Sequence, residues 1–333
     1  MHIFGRVSML AVTFAAMVCT ATPAASQARL DTAIFHPESA AWTVPFKWWI
    51  DEVEKATEGR VKFVPHYAGS LVSTNETFKA LRDGAVPAGV PTIAALTGQM
   101  PSMAYLEAIG SIPNDASRVV DALASLRPVL QEQFSKTNVE YLWSQSASEL
   151  GVVCRQGPAH MRTAKDWKNR KVRGAGRWQA EQIRAIGGSA VATDPSEQYL
   201  ALQNRTLDCV LSVAIFASSL KLYEVAPKIT MLGVSVNLIP VLVNKPVFDK
   251  LSAADRAAIR RLSVEAEKRS AEHLDKMTQD ALAHMKSQKA DIYRLTSSER
   301  AEFLKGISPA FAKMDAEGGA AGKQVSDIVK RYW

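Results

Sequence analysis

Twice along this chain a strand-like run, a helix-like run and a further strand-like run follow one another, and this rhythm constrains the fold more than any other feature. "RLDTAIF" (29–35) reads as a strand. After it Trp42, Phe46, Trp49, Ile50 and Val53 recur at helical spacing, with Asp51, Glu52, Glu54 and Lys55 on the other side, and Gly59 predicts the stop. "RVKFVPH" (60–66) alternates as a strand does, "TNETFKALRDG" predicts a second helix ended by Gly84, and "VPAGVPTIAAL" is strand-like and broken by Pro87 and Pro91. The rhythm returns after "VEYLWSQSASELGVVCRQ" (139–156), which reads as one or two strands. A helical turn "TAKDWKN" follows, then a strand "RKVR", a helix "RWQAEQIRAIGG", a strand "SAVAT", a helix "PSEQYLALQNR" and a strand "LDCVLSV". Alternation of this kind predicts largely parallel sheets covered by helices. The segment 252–288 predicts one long charged helix, opened by Ser252 and Asp255 at capping-box spacing, its charges forming a solvated face. At 333 residues the expectation is two α/β domains with a helical C-terminal segment.

The first 28 residues stand outside that scheme. An apolar run, "MLAVTFAAMVCTA", too short to span a bilayer, leads to small residues, with Ser26 and Ala28 where a signal peptidase reads. A secretory signal cut after Ala28 is expected, and with it an extracytoplasmic, periplasmic location. Loss of Arg6 with that leader takes the net charge from +7 to +6. Cys154 and Cys209 then remain. In an oxidising compartment they can pair, or they can be two small buried apolar residues; spacing alone does not decide.

Hydrophobic residues make up 47% and charged residues 22%, the balance of a globular protein. The positive charge is scattered and matched by nearby acids, as in "KWWIDEVEKATEGRVK", so nucleic-acid binding is not expected. "GAG" at 174–176 lacks the third glycine of a dinucleotide fingerprint, and there is no phosphate loop. There is no nucleophile elbow. His36, His66, His160, His273 and His284 show no metal spacing, and the last two read as solvated on the long helix. No catalysis, metal or cofactor is therefore expected. Ligand capture is, at strand carboxyl ends and between domains. Arg173 ends a strand there and can grip a carboxylate with two parallel hydrogen bonds, while the glycines after it allow close backbone approach. From position alone, an arginine paired with a surface acid is an equal reading.

The ordered series "VRGAGRWQAEQIRAIGGSAVATDPSEQYLALQNRTLDCVLS", "SSLKLYEVAPKIT" and "PVLVNKPVFDKLSAADRAAI", with "HPESAAWTVPFKWWIDEVEKATEGRVKFVPHYAGSLVSTNETFKALRDGAV" before it, resembles the substrate-binding component of tripartite ATP-independent periplasmic (TRAP) transporters. The likeness covers nearly the whole chain after the leader. It implies a periplasmic-binding-protein-like fold: two α/β domains, 29–152 with about 238–277 and 153–237 with about 278–333, joined by a hinge. It also implies a monomer that closes on an organic acid and passes it to membrane permease subunits.

The resemblance further implies that Arg173, the arginine of the "K-x-R" strand, clamps the ligand carboxylate, assisted by the earlier strand arginine, Arg155. Ser212 stands where the family has an asparagine that touches ligand, Pro195 where an aromatic lines the cleft, and Thr92 and Ala95 where members that bind polyhydroxylated acids carry charge. These departures favour a small carboxylate with an apolar or aromatic body over a sugar acid, whose hydroxyls would lack partners. Trp42, Tyr67, Trp178 and Phe216 are candidates for the apolar wall, and each reads equally well as core. Two alternatives stay open: a binding protein of an ATP-driven importer or sensor, and a secreted α/β enzyme.

Overall fold

The computed structural model describes residues 27–146, 148–156, 159–193, 197–235 and 237–332. The predicted leader to residue 26, and Pro195, lie outside these described residues.

In chain order the first half contains β1 (Ala28–Ile34), α1 (Thr43–Ala56), β2 (Val61–His66), α2 (Thr74–Arg82), β3 (Ala88–Val90), α3 (Ala104–Glu107), α4 (Ala116–Ser135) and β4 (Val139–Ser146). The second half continues with β5 (Glu149–Cys154), α5 (Ala164–Trp167), β6 (Lys171–Arg173), α6 (Arg177–Ala185), β7 (Ser189–Val191), α7 (Gln198–Gln203), β8 (Cys209–Val213) and α8 (Ala214–Ser219). The last part is β9 (Lys228–Ser235), β10 (Leu238–Asn244), α9 (Lys245–Asp249), α10 (Ala253–Ser287), β11 (Asp291–Arg294) and α11 (Ser297–Val329). The 139–156 stretch is thus two strands, and "VPAGVPTIAAL" holds only a three-residue strand before a 3-10 turn at Ile93–Ala95. Pro91 interrupts the pairing there, because a proline has no N–H to give to a ladder.

Two sheets result, ordered β2-β1-β3-β10-β4 and β11-β9-β5-β8-β6-β7. β1 pairs in parallel with β2 and β3, and β6 in parallel with β7 and β8, as the alternating pattern predicts. Among the described residues, β10 and β5 each run against the parallel strands of their sheet. Their position in the chain explains this. The chain passes from the first sheet to the second between Ser146 and Glu149, and back between Ser235 and Leu238. β4 lies parallel to β3, since both oppose β10, and so leaves its sheet at the carboxyl edge. β5 then enters the second sheet opposed to β8. A strand that enters against the parallel set enters at that set's carboxyl edge. The carboxyl edges of both sheets therefore meet at the crossings, where ligands of α/β sheets bind.

β5 lies wholly in the second sheet, so the first crossing falls a few residues before the expected 152/153 division. α10 is one continuous helix against α1, α4 and β4 and also against α8 and β11. α11 packs on α3, α4 and α6. Neither long helix belongs to one sheet alone.

The periodic residues of α1 become core: Phe46, Trp49 and Val53 are fully buried with Phe63 and Trp143, each large side chain contributing about 1.5–3 kcal/mol by leaving water. Ser252 caps α10 by accepting from the Asp255 N–H at 3.0 Å. The charges of α10 are not all solvated. Asp255 and Glu267 are buried, because Arg60 reaches the first (2.9 Å) and Arg127 pairs with the second. Burial outweighs that partner and pushes the Glu267 carboxyl up to about 7. Cys154 and Cys209 face each other in the β5–β8 register and form a disulfide.

Candidate ligand-binding site between the sheets

At the carboxyl edge of the first sheet, β1 delivers Phe35 and His36, the N-cap of α1 delivers Trp42, and β2 delivers Tyr67. The His36 ring lies 6.0 Å from Trp42 and 6.1 Å from Tyr67, centroid to centroid, and Phe35 stands edge-on to His36 at 5.1 Å. Trp42 Nε1 donates to the Ser146 carbonyl at 3.2 Å, tying this group to the end of β4. His36 is 2% exposed. Its Nδ1 is 3.1 Å from the Pro37 carbonyl, and burial holds its pKa below the usual histidine value. Its Nε2 and the Tyr67 hydroxyl are both buried without a hydrogen-bond partner. Burial first, and then the charges of Glu38 and Asp51, raise the Tyr67 pKa.

The second sheet presents Arg173 at the end of β6 and Ser212 near the end of β8. Arg173 is in register with Val210, and neighbours in register share a face, as do residues two apart along a strand. Arg173 and Ser212 therefore share the face against which α8 packs. Arg173 is 7% exposed, and its Nε donates to the Thr193 carbonyl at 3.3 Å. Ser212 donates to the Val213 carbonyl at 3.4 Å. Val213, Ile215 and Phe216 pack against the core cluster that contains Trp42, and Tyr67 packs against the same cluster. A cleft of about 670 Å³ runs along this contact. Pro37–Val44 and Lys47 form one wall, Ile215, Phe216, Ser218 and Ser219 the other, and His273, Met277, Asp280 and His284 of α10 the floor.

Of the expected site residues, Trp42 and Phe216 line this cleft from its two walls; Tyr67 stands beside His36, and Arg173 and Ser212 lie at the carboxyl edge of the second sheet outside the cleft lining. Thr92 stands half-buried at the N-cap of the 3-10 turn after β3. The turn lies close to the β6–α6 loop: a Cβ placed on Gly176 would stand 3.4 Å from that of Ala94.

Two expected site residues are elsewhere. Arg155 follows the far end of β5, where its Nη2 pairs with Asp208 at 2.9 Å and its Nε donates to the Leu207 carbonyl. Asp208 precedes β8, four residues from Ser212. At roughly 3.3 Å per residue this puts Arg155 more than 10 Å from the carboxyl edge. Trp178 is 1% exposed inside the main core, because the first turn of α6 faces α3 and α11.

The glycine step also differs from expectation. A Cβ on Gly176 would come within 2.3 Å of Glu107 Oε1, and one on Gly174 within 3.1 Å of Ile183. The loop is small to admit a side chain of this chain. The buried Glu107 carboxylate accepts from the Trp178 N–H at 2.9 Å and from Thr97 Oγ1 at 2.9 Å, sitting at the positive end of α6. Burial still raises the Glu107 pKa, against those donors.

His36 and Glu107 carry more of the site than their sequence neighbourhood showed. His36 had one signal, its place directly after a strand carboxyl end. Glu107, in the apolar run "SMAYLEAIGSI", had none. His273 is half-buried rather than solvated, with its Nε2 lacking a partner, because α10 floors the cleft. Among the described residues no cluster of metal-ligating side chains occurs, and no helix is long and apolar enough to cross a membrane.

Comparison with known proteins agrees with this fold. A solute-binding protein of Albidiferax ferrireducens is 26% identical over 228 residues, 65% of this chain and 64% of that protein. In fold, the chain matches DctP7 of Bordetella pertussis, an extracytoplasmic solute receptor binding pyroglutamic acid, with a TM-score of 0.80 at 16% identity over 91% of this chain and 99% of the other. It also matches a TRAP periplasmic solute-binding protein of Chromohalobacter salexigens with bound D-glucuronate, with a TM-score of 0.79 at 20% identity over 90% and 99%. The model of the DctP family, bacterial extracellular solute-binding protein family 7, matches residues 33–317, and the chain belongs to that family.

Proposed function

We propose that this protein captures a small organic acid between its two sheets outside the cytoplasm and delivers it to the permease subunits of a TRAP-type secondary transporter. The observation that carries the reading is Arg173, a guanidinium 7% exposed at the carboxyl edge of the second sheet, the edge from which the chain crosses to the first. Two proteins of similar fold bind acids with very different bodies, pyroglutamic acid and D-glucuronate; a carboxylate is what those ligands share. We assign one lobe to 29–146 with about 238–277 and the other to 149–235 with about 278–333, the division moved from 152/153 to the crossing before β5, and hinged at the two crossings. The ligand favours closure by touching both lobes. Thr92 and Trp42 meet it from one side, Arg173, Ser212 and Phe216 from the other. The protein changes the ligand's location, not its covalent structure.

A thermal-shift screen of the chain from Arg29 against aliphatic and aromatic acids, sugars and amino acids tests this. An acid at 100 times its dissociation constant adds about 2.7 kcal/mol. A charge-assisted hydrogen bond contributes about 1.5–3 kcal/mol. Arg173→Ala is therefore expected to weaken acid binding by roughly two powers of ten. Arg177→Ala is expected to leave it unchanged, since Arg177 is held on the surface by Glu317 (2.6 Å) and stacked on Trp178. Equal, small effects of the two substitutions, or stabilisation only by neutral compounds, would overturn the assignment.

A further inference from the structure

We propose that the acid carries a hydroxyl, and that His36 and Tyr67 select it over the corresponding oxo and deoxy acids. The inference rests on the carboxylate reading of the cleft and sharpens it.

The argument starts from the tautomer of His36. Nδ1 lies 3.1 Å from the Pro37 carbonyl oxygen. That oxygen has no proton to give, so the proton of the contact is on Nδ1. Thr43 Oγ1 lies 3.4 Å from Nδ1 and 3.5 Å from the same carbonyl; with the proton on Nδ1 the hydroxyl donates to the carbonyl, whereas the other tautomer would set the Nδ1 lone pair against the carbonyl oxygen at 3.1 Å. The ring is neutral, since burial disfavours its charged form. Nε2 is then a bare lone pair: it accepts and cannot donate. It is buried without a partner, and the ring is 2% exposed. The Tyr67 hydroxyl, on the ring next to it, is likewise buried and unpartnered, and it both donates and accepts.

An acceptor beside a donor-acceptor has a definite complement. A ligand hydroxyl donates its proton to Nε2 and accepts the Tyr67 O–H on its own lone pair. An oxo group satisfies Tyr67 and sets a lone pair against the lone pair of Nε2. A deoxy acid satisfies neither. A buried acceptor left without a donor costs about as much as a lost hydrogen bond, and sites built on such pairs reject ligands that lack the hydrogen-bonding group. Trp42, 6.0 Å from the His36 ring, lines the cleft, and the pair stands behind it.

Titration calorimetry with three matched sets tests this: lactate, pyruvate and propionate; mandelate, phenylglyoxylate and phenylacetate; 3-hydroxybutyrate, acetoacetate and butyrate. In the set whose body fits, the hydroxy acid is expected to bind at least about ten-fold more tightly than its oxo and deoxy partners. His36→Phe, which removes the acceptor and keeps a ring, is expected to bring the hydroxy-to-oxo ratio near one, while Tyr67 still favours both over the deoxy acid. Tyr67→Phe removes one oxygen and is expected to narrow the hydroxy-to-deoxy ratio several-fold and to leave the hydroxy acid ahead of the oxo acid; it and the native protein carry the test if His36→Phe does not fold. An oxo or deoxy acid that binds as tightly as its hydroxy partner in the native protein overturns the inference, and shows a water or nothing at Nε2, while leaving Arg173 its role. Binding of none of the nine acids, with Arg173→Ala without effect on whatever ligand does bind, overturns the carboxylate reading and this inference together.

Discussion

Arg155 and Arg173 look alike as residues: each ends a short apolar strand and precedes a polar loop. They differ in which end of the sheet they occupy. β5 runs against β8, so its last residues lie at the edge away from the cleft, and Arg155 finds Asp208 there. Arg155→Ala is expected to leave acid affinity unchanged and to cost at most about 1 kcal/mol of stability, the scale of a partly exposed ion pair; parallel calorimetry and urea unfolding measure both. Trp178→Ala is expected to do the reverse of a wall residue, lowering stability by about 3–5 kcal/mol through the void it leaves. The aromatic residues could not be sorted in the sequence, because a ring at a strand or helix end has the same pattern whether it faces core or cleft. Strand direction and the packing of α3 and α11 on α6 separate them.

At the scale of elements, the alternation of strands and helices was legible almost throughout, since each side-chain period follows from which face is buried. The direction of β5 and β10 was not, because antiparallel entry follows from which sheet edge the chain reaches. The cysteines show the same limit. Residues 55 apart are joined because β5 and β8 pair in that register, and a closed loop of this length restricts the unfolded chain by about 4 kcal/mol. Reduction, or replacement of Cys154 and Cys209 by alanine, is expected to lower the unfolding midpoint in urea by a large part of that amount. Acid binding is expected to survive, because the bridge lies beside Arg155 and away from the cleft. Loss of binding without loss of stability would place the bridge in the site. The glycine loop, read as making room for a ligand, makes room for Glu107, which sits 67 residues or more away in sequence.

At the scale of the whole molecule, two sheets are joined at their carboxyl edges by two short crossings, with the long α10 bearing on elements of both, and it is these crossings that the proposed function takes as its hinge. Small-angle scattering is expected to show a smaller radius of gyration when a saturating acid is added, and no such change in Arg173→Ala. An unchanged radius in the native protein would mean that the free form is already closed. By itself the sequence determined the order and type of most elements, the apolar faces of the helices, the family, and Arg173 as an arginine at a strand carboxyl end. These follow from local periodicity and from an ordered series of short motifs, which neighbours along the chain suffice to define. Only the tertiary structure decided that Cys154 meets Cys209, that Glu107 caps α6, that Arg155 lies at the wrong edge, and that His36 and Tyr67 are buried together with polar atoms unpaired. Each of these depends on which segments distant in sequence are brought within a few ångströms, and that is set by the pairing and direction of strands rather than by any window of residues.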